Sequence, residues 1–317
     1  MVNPLVTVLM PVYNTRPELL EQAISSVLTQ TLGDFELLLL DDGSEDPGTL
    51  AALKHSLAMD ARVRVCREPH RGLTPSLNVG IRLAQGEFIA RHDADDWSDP
   101  QRLARQTDYM RSHPHIAVLG TAAWMHQQGG RRLWRVDLPL TPSHIAASFW
   151  TRNPFVHGSV MFRKNDALRT GGYREELPCS QDYDFFWRLS EGGRGANLPE
   201  ALYHYRFTPG SVSAARAVEQ ALAHSAARVL AAARQRGEPE NIEEALEVAR
   251  VAPGTSSSFR ASLKQADHLM LAGEYARARH AYLRLLRSHP ASPRAWGKLL
   301  RLGIFQAVPA ARKACFR

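Results

Sequence analysis

The chain has 317 residues, of which 44% are apolar, and a formal net charge of +7, so it can hold one large domain or two ordinary ones around a real core. No run approaches the roughly eighteen consecutive apolar residues of a membrane-spanning helix, and residues 1–4 lack the basic and apolar regions of a signal peptide, so we expect a cytoplasmic protein. Three scattered cysteines have the spacing of neither a disulfide framework nor a zinc site.

Positive charge is concentrated near the C-terminus. Residues 211–317 contain 17 Lys and Arg against 8 Asp and Glu, whereas residues 1–210 contain 22 against 24. Interspersed arginines most often form a solvated helical surface, but they also suit nucleic acid, anionic lipid or an acidic partner. We expect no nucleic-acid binding, and we consider peripheral contact with the inner face of the membrane as the alternative to a solvated surface.

Short apolar runs alternate with amphipathic segments over the first hundred residues. Strands are predicted at 5–10, 35–40, 62–67 and 88–90, and helices at 17–29, 46–59 and 73–84. The run at 35–40 is too apolar to be half-solvated, so it should lie centrally in a sheet covered on both faces. This alternation predicts a parallel, right-handed α/β sheet.

Carboxylates follow two of these strands. Asp41 and Asp42 come after the run at 35–40, and Asp93, Asp95 and Asp96 come after the run at 88–90. Parallel strands place their carboxyl ends at one edge of the sheet, where acids repel one another unless something positive joins them. Mg²⁺ or Mn²⁺, with phosphate oxygens and water as further ligands, suits such a site.

A simpler explanation of the second acidic group is helix capping. Ser98 or Asp99 followed by Pro100 is a good helix start. The acids around them would then form a capping loop, and this alternative stays open at the level of the sequence.

Two phosphate-binding motifs are missing from the strand ends. The first strand–helix turn, Pro11 to Arg16, lacks the glycines of a dinucleotide-binding fold, and no Gly-Lys-Ser/Thr follows any strand. Phosphate groups would therefore be held through a metal rather than by a nest of backbone amides.

Several short motifs resemble those of the family 2 glycosyltransferases in their order and spacing. They are Thr7 to Asn14, Ser25 to Thr31, Asp41-Asp42-Gly43-Ser44, Asn78-Val79-Gly80, Gly86 to Ile89, Asp93-Ala94-Asp95-Asp96 and, extending the resemblance to about residue 210, Gln181-Asp182-Tyr183-Asp184. The resemblance implies a GT-A fold, the mixed α/β sheet flanked by helices of nucleotide-diphospho-sugar transferases, for residues 1–212. An all-α region would follow at 213–317.

The resemblance also implies roles for residues on the donor side. Pro11 and Tyr13 would lie beside the nucleotide base, and Asp42 would accept a hydrogen bond from it. Asp93 would face the ribose or the metal, and Asp95 would hold the metal, Mn²⁺ or Mg²⁺, that bridges the donor diphosphate.

Two further donor-side candidates are Arg71, as a diphosphate contact, and Asn78. Family members more often carry a basic residue just before the position of Asn78, where this chain has Leu77, and this departure weakens the case for Arg71.

On the acceptor side, the resemblance makes Asp182 the general base. Gln181 replaces the usual glutamate before it, so the support around Asp182 is expected to differ. His157, Asp184 and His204 are further candidates near the acceptor, and each has an ordinary structural role as its alternative.

Together these features imply an inverting glycosyltransferase. It would move a sugar from a nucleotide sugar, with a UDP-sugar favoured, to a glycan or lipid-linked acceptor in polysaccharide or lipopolysaccharide biosynthesis. A nucleotidyltransferase would need a glycine-rich loop with a basic residue near Pro11, which the sequence lacks. A degenerate module that only binds a nucleotide or a partner would have no need for Asp182.

The C-terminal region is predicted to be helical. Helices are expected at 214–236 and 240–251, followed by a linker at 252–258. Residues 266–299 have the small and aromatic spacing of a tetratricopeptide-like helix pair. Only about one such repeat is visible, which favours a small helical bundle or appendage over a solenoid.

Overall fold

A computed structural model describes residues 3–177, 179–208, 216–251 and 258–307. The chain divides into two compact units. The first unit comprises Met1–Trp124, Arg135–Glu176 and Gln181–Tyr205, and the second comprises Met125–Trp134, Leu177–Ser180 and Arg206–Arg317. Over the described ranges, no helix has the length and apolar character needed to cross a membrane.

Helices and strands alternate in the first unit, and helices dominate the second. The strands are β1 (Val6–Val12), β2 (Phe35–Asp42), β3 (Val63–Glu68), β4 (Phe88–Arg91), β5 (Trp97–Ser98), β6 (Val118–Gln127), β7 (Arg132–Val136), β8 (Met161–Arg163) and β9 (Gly195–Phe207). The helices are α1 (Pro17–Leu28), α2 (Pro47–Met59), α3 (Leu73–Leu83), α4 (Arg102–Ser112), α5 (Pro142–Phe149), α6 (Lys164–Arg169), α7 (Gln181–Ser190), α8 (Ala217–Arg236), α9 (Ile242–Val251), α10 (Ser258–Ala272), α11 (Tyr275–Ser288) and α12 (Pro293–Ala307), with a 3₁₀ turn at His157–Ser159.

The strands form one mixed sheet in the order β3-β2-β1-β4-β8-β6-β9-β5, with β7 paired to β6. The first four strands of this order are mutually parallel, and β8 runs antiparallel to both β4 and β6. Every residue of β2 is buried, as the uninterrupted apolar run predicted. The parallel half of the sheet therefore follows from the sequence, and the antiparallel half begins where the periodic pattern ends.

Predicted and observed element boundaries agree closely up to β4. The first helix ends at Leu28, and the second begins at Pro47 with the Asp46 side chain accepting a hydrogen bond from the amide of Thr49. Both helices carry a proline in their first turn, where its missing N–H costs nothing. Later, α4 begins at Arg102, two residues after the predicted start, and α8 and α9 lie within the predicted segments.

Two glycines allow neighbouring segments to pack closely against β1. A Cβ on Gly86 would lie 2.4 Å from the backbone nitrogen of Thr7, and one on Gly80 would lie 2.3 Å from the Leu9 side chain. Glycine at these two positions lets the turn before β4 and helix α3 approach β1. Both motif positions therefore favour glycine, because neither leaves room for a Cβ atom.

The second unit has its own small cores. Buried side chains of α10, α11 and α12 make up these cores: Ala266, Ala278, Tyr282, Leu285, Leu286, Ala295 and Leu302. Gly273, at φ +91, makes the turn between α10 and α11. The predicted domain boundary at 212, the linker residues 252–257 and the basic terminal residues 312–317 lie outside the described residues.

Candidate active site

Three parallel strands deliver the predicted donor-side residues to one edge of the sheet. Pro11 lies near the end of β1 opposite Leu40, and Asp42 ends β2. Asp93 and Asp95 follow shortly after β4, and β1 lies between β2 and β4 in the sheet. The predicted convergence of the strand ends is therefore present.

The loops after β1 and β2 are fastened to each other by Asn14. This residue has φ +44, and its side-chain oxygen accepts hydrogen bonds from the amides of Glu45 and Asp46 at 2.9 and 3.0 Å. Its own amide donates to the Ser44 hydroxyl at 3.0 Å. Asn tolerates this left-handed conformation better than most residues, so a short polar side chain keeps the two loops in register.

Asp42 holds the loop that leads into α3. Its two carboxylate oxygens accept hydrogen bonds from the amides of Arg71 and Gly72, both at 2.9 Å, and His70 Nδ1 lies 2.9 Å from the same carboxylate. The His70 ring stacks on the exposed ring of Tyr13, with centroids 3.9 Å apart and planes 16° from parallel. His70 was not singled out from the sequence, because only the fold brings it under Tyr13.

Tyr203 ties the acidic loop after β4 to β9. Its hydroxyl donates to Asp96 Oδ2 at 2.8 Å and accepts a hydrogen bond from the Asp93 amide at 3.1 Å. Asp96 is therefore a buried structural carboxylate. Asp95 is half-buried.

The N-cap of α4 is Gln101, which makes no side-chain capping hydrogen bond. Asp99 accepts a hydrogen bond from the Gln101 amide at 2.9 Å through its side chain and from the Arg102 amide at 3.1 Å through its carbonyl. Asp99 therefore fixes the turn that leads into α4, and neither Ser98 nor Asp99 is the N-cap that the sequence suggested.

Arg91 is a buried cation beneath the acidic loop. Its side chain is 1% exposed and forms an ion pair with Asp93, whose side chain is 28% exposed. Burial alone would lower the pKa of Arg91, but the charge of Asp93 outweighs it and raises that pKa, so the guanidinium stays charged. The neighbouring His92 is held neutral, because burial lowers its pKa well below the usual range.

Asp182 lies in the first turn of α7. Its Oδ2 accepts a hydrogen bond from Asn153 Nδ2 at 2.9 Å. Burial raises the pKa of Asp182, and the backbone amides of Tyr183 and Asp182, the charge of Arg91 and the Asn153 bond partly oppose that rise. The result is a half-buried carboxylate with raised proton affinity. Asn153 thus supports Asp182, a role that no sequence motif indicates.

The other predicted acceptor-side residues have structural partners. Asp184 is buried and ion-paired with Arg174 at 3.1 Å and with Arg188 at 2.8 Å. His157 Nε2 lies 3.2 Å from the Tyr173 hydroxyl, and burial lowers the pKa of His157 well below its usual range. Acceptor contact by these two residues remains a prediction.

The third acceptor-side candidate, His204, and the donor-side candidates Asn78 and Arg71 also contact other protein groups. The His204 ring stacks on Trp97, with centroids 4.9 Å apart. Asn78 accepts from the Tyr173 amide and donates to the Tyr173 carbonyl, both at 2.9 Å, and so fastens α3 to the turn after α6. Arg71 is exposed, with its guanidinium 3.9 Å from Glu175. Substrate contact by His204, Asn78 and Arg71 likewise remains a prediction.

The acids after β4 fit a metal only if the substrate completes its coordination. No three His, Cys, Asp or Glu side chains of the described ranges come together as a metal cage. Asp93 and Asp95 offer hard carboxylate oxygens and are only partly buried. Mg²⁺ and Mn²⁺ commonly take one or two carboxylates and fill their other positions with phosphate oxygens and water, and this donor set fits that pattern.

Comparison with known proteins agrees with this geometry. The model of Glycosyl transferase family 2 matches residues 7–173. The amylovoran biosynthesis glycosyltransferase AmsE of Erwinia amylovora is 35% identical over 203 residues, which cover 63% of this chain and 75% of AmsE.

Two solved structures share the fold at low identity. One is the mannosyltransferase PcManGT of Pyrobaculum calidifontis in complex with GDP-Man and Mn²⁺, with a TM-score of 0.57 at 17% identity. The match covers 98% of this chain and 88% of the PcManGT chain. S. aureus TarS 1-349 in complex with UDP-GlcNAc has a TM-score of 0.58 at 17% identity, with coverages of 88% and 83%. The order of the predicted motifs, the mixed sheet and the family match agree: the chain belongs to the family 2 glycosyltransferases and has their GT-A fold.

Proposed function

We propose that this glycosyltransferase transfers a sugar, with inversion, from a nucleotide-sugar donor to a hydroxyl group of a glycan or lipid-linked acceptor. A UDP-sugar is the donor class we favour, as in the TarS complex, while PcManGT binds GDP-Man. The setting we propose is cell-surface polysaccharide assembly, because AmsE is named for amylovoran biosynthesis. The catalytic domain would span 1–212, with 213–317 as a helical region. Family membership removes the nucleotidyltransferase alternative.

The environment of Asp182 carries the catalytic part of this proposal. An acceptor hydroxyl loses its proton as its oxygen attacks the anomeric carbon, and a carboxylate on the acceptor side takes that proton. Burial raises the pKa of Asp182 toward the working pH, which makes it a stronger base than a solvated aspartate. The Asn153 amide engages Oδ2 and orients the carboxylate.

On the donor side, the paired rings of Tyr13 and His70 support the proposed base contact. His70 covers one face of the Tyr13 ring, which fixes the ring for stacking of a nucleotide base on its other face. A carboxylate oxygen can accept more than one hydrogen bond. Asp42 can therefore hold the loop before α3 and also accept a hydrogen bond from the base.

The residues we propose for the metal are Asp93 and Asp95. A bound Mn²⁺ or Mg²⁺ would supply Lewis-acid stabilisation of the charge that gathers on the leaving diphosphate. Arg91 pairs with the Asp93 carboxylate and holds it beside the end of β4. Tyr203 holds the backbone of the same loop through the Asp93 amide.

Donor turnover by the purified full chain tests the proposal. The chain is incubated with Mn²⁺ and a panel of UDP-, GDP- and dTDP-sugars, and the release of nucleoside diphosphate is measured. Loss of a general base typically costs about 10²- to 10⁴-fold, so Asp182→Asn should lower turnover by this factor while nucleotide affinity, measured by calorimetry, stays unchanged. Glu200→Gln, at an exposed acid of β9, is the matched control.

Two outcomes would count against the proposal. Turnover in Asp182→Asn equal to that of the Glu200→Gln control would remove Asp182 as the base. Nucleotide binding without turnover by the unmodified chain, even with mixed lipid-linked acceptors, would favour the degenerate binding module. Chelation followed by return of Mn²⁺ or Mg²⁺, with nucleotide affinity as a second measurement, tests the metal separately.

A further inference from the structure

The end of the chain has a one-sided charge pattern. After Glu274 the sequence contains ten Lys and Arg and no Asp or Glu. Seven of the ten lie on α11 and α12: Arg277, Arg279, Arg284, Arg287, Arg294, Lys298 and Arg301. All of these except Lys298, which is half-buried, are exposed. Lys298 pairs with Asp267 at 3.0 Å and Arg277 lies 3.9 Å from Glu274, so the exposed charge of the two helices is net positive but not uniform.

Large apolar side chains are also exposed on α12. Trp296 is 47% exposed and Leu300 is 66% exposed, and they are one helical turn apart on α12. The opposite side of α12 packs into the helical core through Ala295 and Leu302. This helix thus has a buried apolar face and a second, outward apolar stripe.

The arginines of α12 lie on a different side of the helix from the outward stripe. Arg294 and Arg301, seven residues apart, share one side, and neither faces Trp296 or Leu300, because residues one or two positions apart do not face each other. On α11 the exposed Leu283 sits between Arg279 and Arg287 at spacings of four residues. On α11, therefore, an exposed apolar side chain lies between two basic ones.

We propose that the outward faces of α11 and α12 dock on an anionic lipid bilayer, with Trp296 and Leu300 entering the headgroup boundary. Exposed aromatic and aliphatic side chains combined with Lys and Arg are the composition of interfacial helices, and negative headgroups attract the basic residues. A protein partner would need an acidic surface with apolar pockets in matching register, whereas a bilayer offers both chemistries at every position. Nucleic acid would satisfy the arginines but would leave Leu283 and Leu300 without apolar contact.

Vesicle flotation of the full chain tests this surface without any requirement for turnover. The probes are phosphatidylcholine vesicles with and without about one third phosphatidylglycerol. Because each basic residue near an anionic surface adds to the attraction, the bound fraction should be at least about tenfold higher with the anionic lipid. The binding should fall at 0.5 M salt, a concentration chosen because salt at this level shortens the screening length to about 4 Å.

Paired substitutions locate the docking surface. Trp296→Ser with Leu300→Ser should abolish flotation, whereas Leu57→Ser with Met59→Ser should not. The second pair is a matched control, because Leu57 and Met59 on α2 are 50% and 54% exposed but belong to the first unit. Circular dichroism and the thermal midpoint confirm that each variant is folded.

A further variant keeps the test decisive if the double substitution unfolds the helices. Trp296 Nε1 donates to the Pro290 carbonyl at 2.8 Å, so its loss can disturb the turn before α12. Arg279→Glu with Arg287→Glu leaves that bond intact and should lower anionic flotation about tenfold or more. The proposal would be overturned if this variant floated as well as the α2 control, or if flotation did not depend on lipid charge. It would also be overturned if the same substitutions abolished self-association or nucleic-acid binding instead of flotation.

Discussion

Arg91 and Asp93 form an ion pair whose two members are unequally buried, and this inequality predicts unequal costs of removal. The Arg91 side chain is 1% exposed, whereas that of Asp93 is 28% exposed. Asp93→Asn leaves a charged guanidinium in the interior without its carboxylate, and breaking a buried pair in this way costs about 3–5 kcal/mol. Arg91→Met leaves a carboxylate that water can reach, and it replaces the guanidinium by an apolar chain of similar length. We therefore expect Arg91→Met to cost less than about 1.5 kcal/mol.

Urea unfolding at pH 7.5 measures both costs. The free energy of unfolding in water and the m-value are compared for the unmodified chain, the two single variants and the double variant. The double variant should have about the same free energy of unfolding as Arg91→Met, because it no longer contains the buried guanidinium charge that makes Asp93→Asn costly. This expected non-additivity follows from the direct contact of the two side chains.

One result would refute the reasoning. If Arg91→Met destabilises the protein as much as Asp93→Asn, the cost lies in the cation and its packing rather than in the burial of an unpaired charge. A change in m-value would instead indicate that a variant altered the unfolded or native ensemble.

Three other perturbations follow from the structure. Tyr203→Phe removes the hydroxyl that donates to the buried Asp96, so the free energy of unfolding in urea should fall by about 1–3 kcal/mol; an unchanged value would mean that Asp96 finds another partner. Asn153→Ala removes a hydrogen bond that lowers the pKa of Asp182, so that pKa should rise and the acidic limb of kcat/KM should move to higher pH; a limb that stays in place or moves down would contradict the base assignment. Gly86→Ala would place a Cβ 2.4 Å from the backbone of β1, so a thermal scan should show a loss equivalent to about 1–3 kcal/mol, and a stability equal to that of the unmodified chain would show that the turn can relax.

Sequence alone determined the half of the fold that local pattern controls. The apolar runs of β1, β2 and β4 are buried as continuous strands, and a parallel arrangement then brings the acids that follow them to one edge. The motif spacing predicted the GT-A fold and the family, and both are confirmed. The segment at 120–180 carried no such pattern, and its strands and helices came only from the structure.

Only the tertiary structure decided what each site side chain contacts. Tyr203 reaches Asp96 across 107 residues, and Asn153 reaches Asp182 across 29. No local pattern encodes such contacts, because they depend on how β9 and α7 pack against the rest of the sheet. The sequence could therefore name Asp93 and Asp182 only as candidate site residues, and the buried Arg91 beside Asp93 and the raised pKa of Asp182 follow from burial. Burial is a property of the packed chain, since it depends on which distant segments exclude water from each side chain.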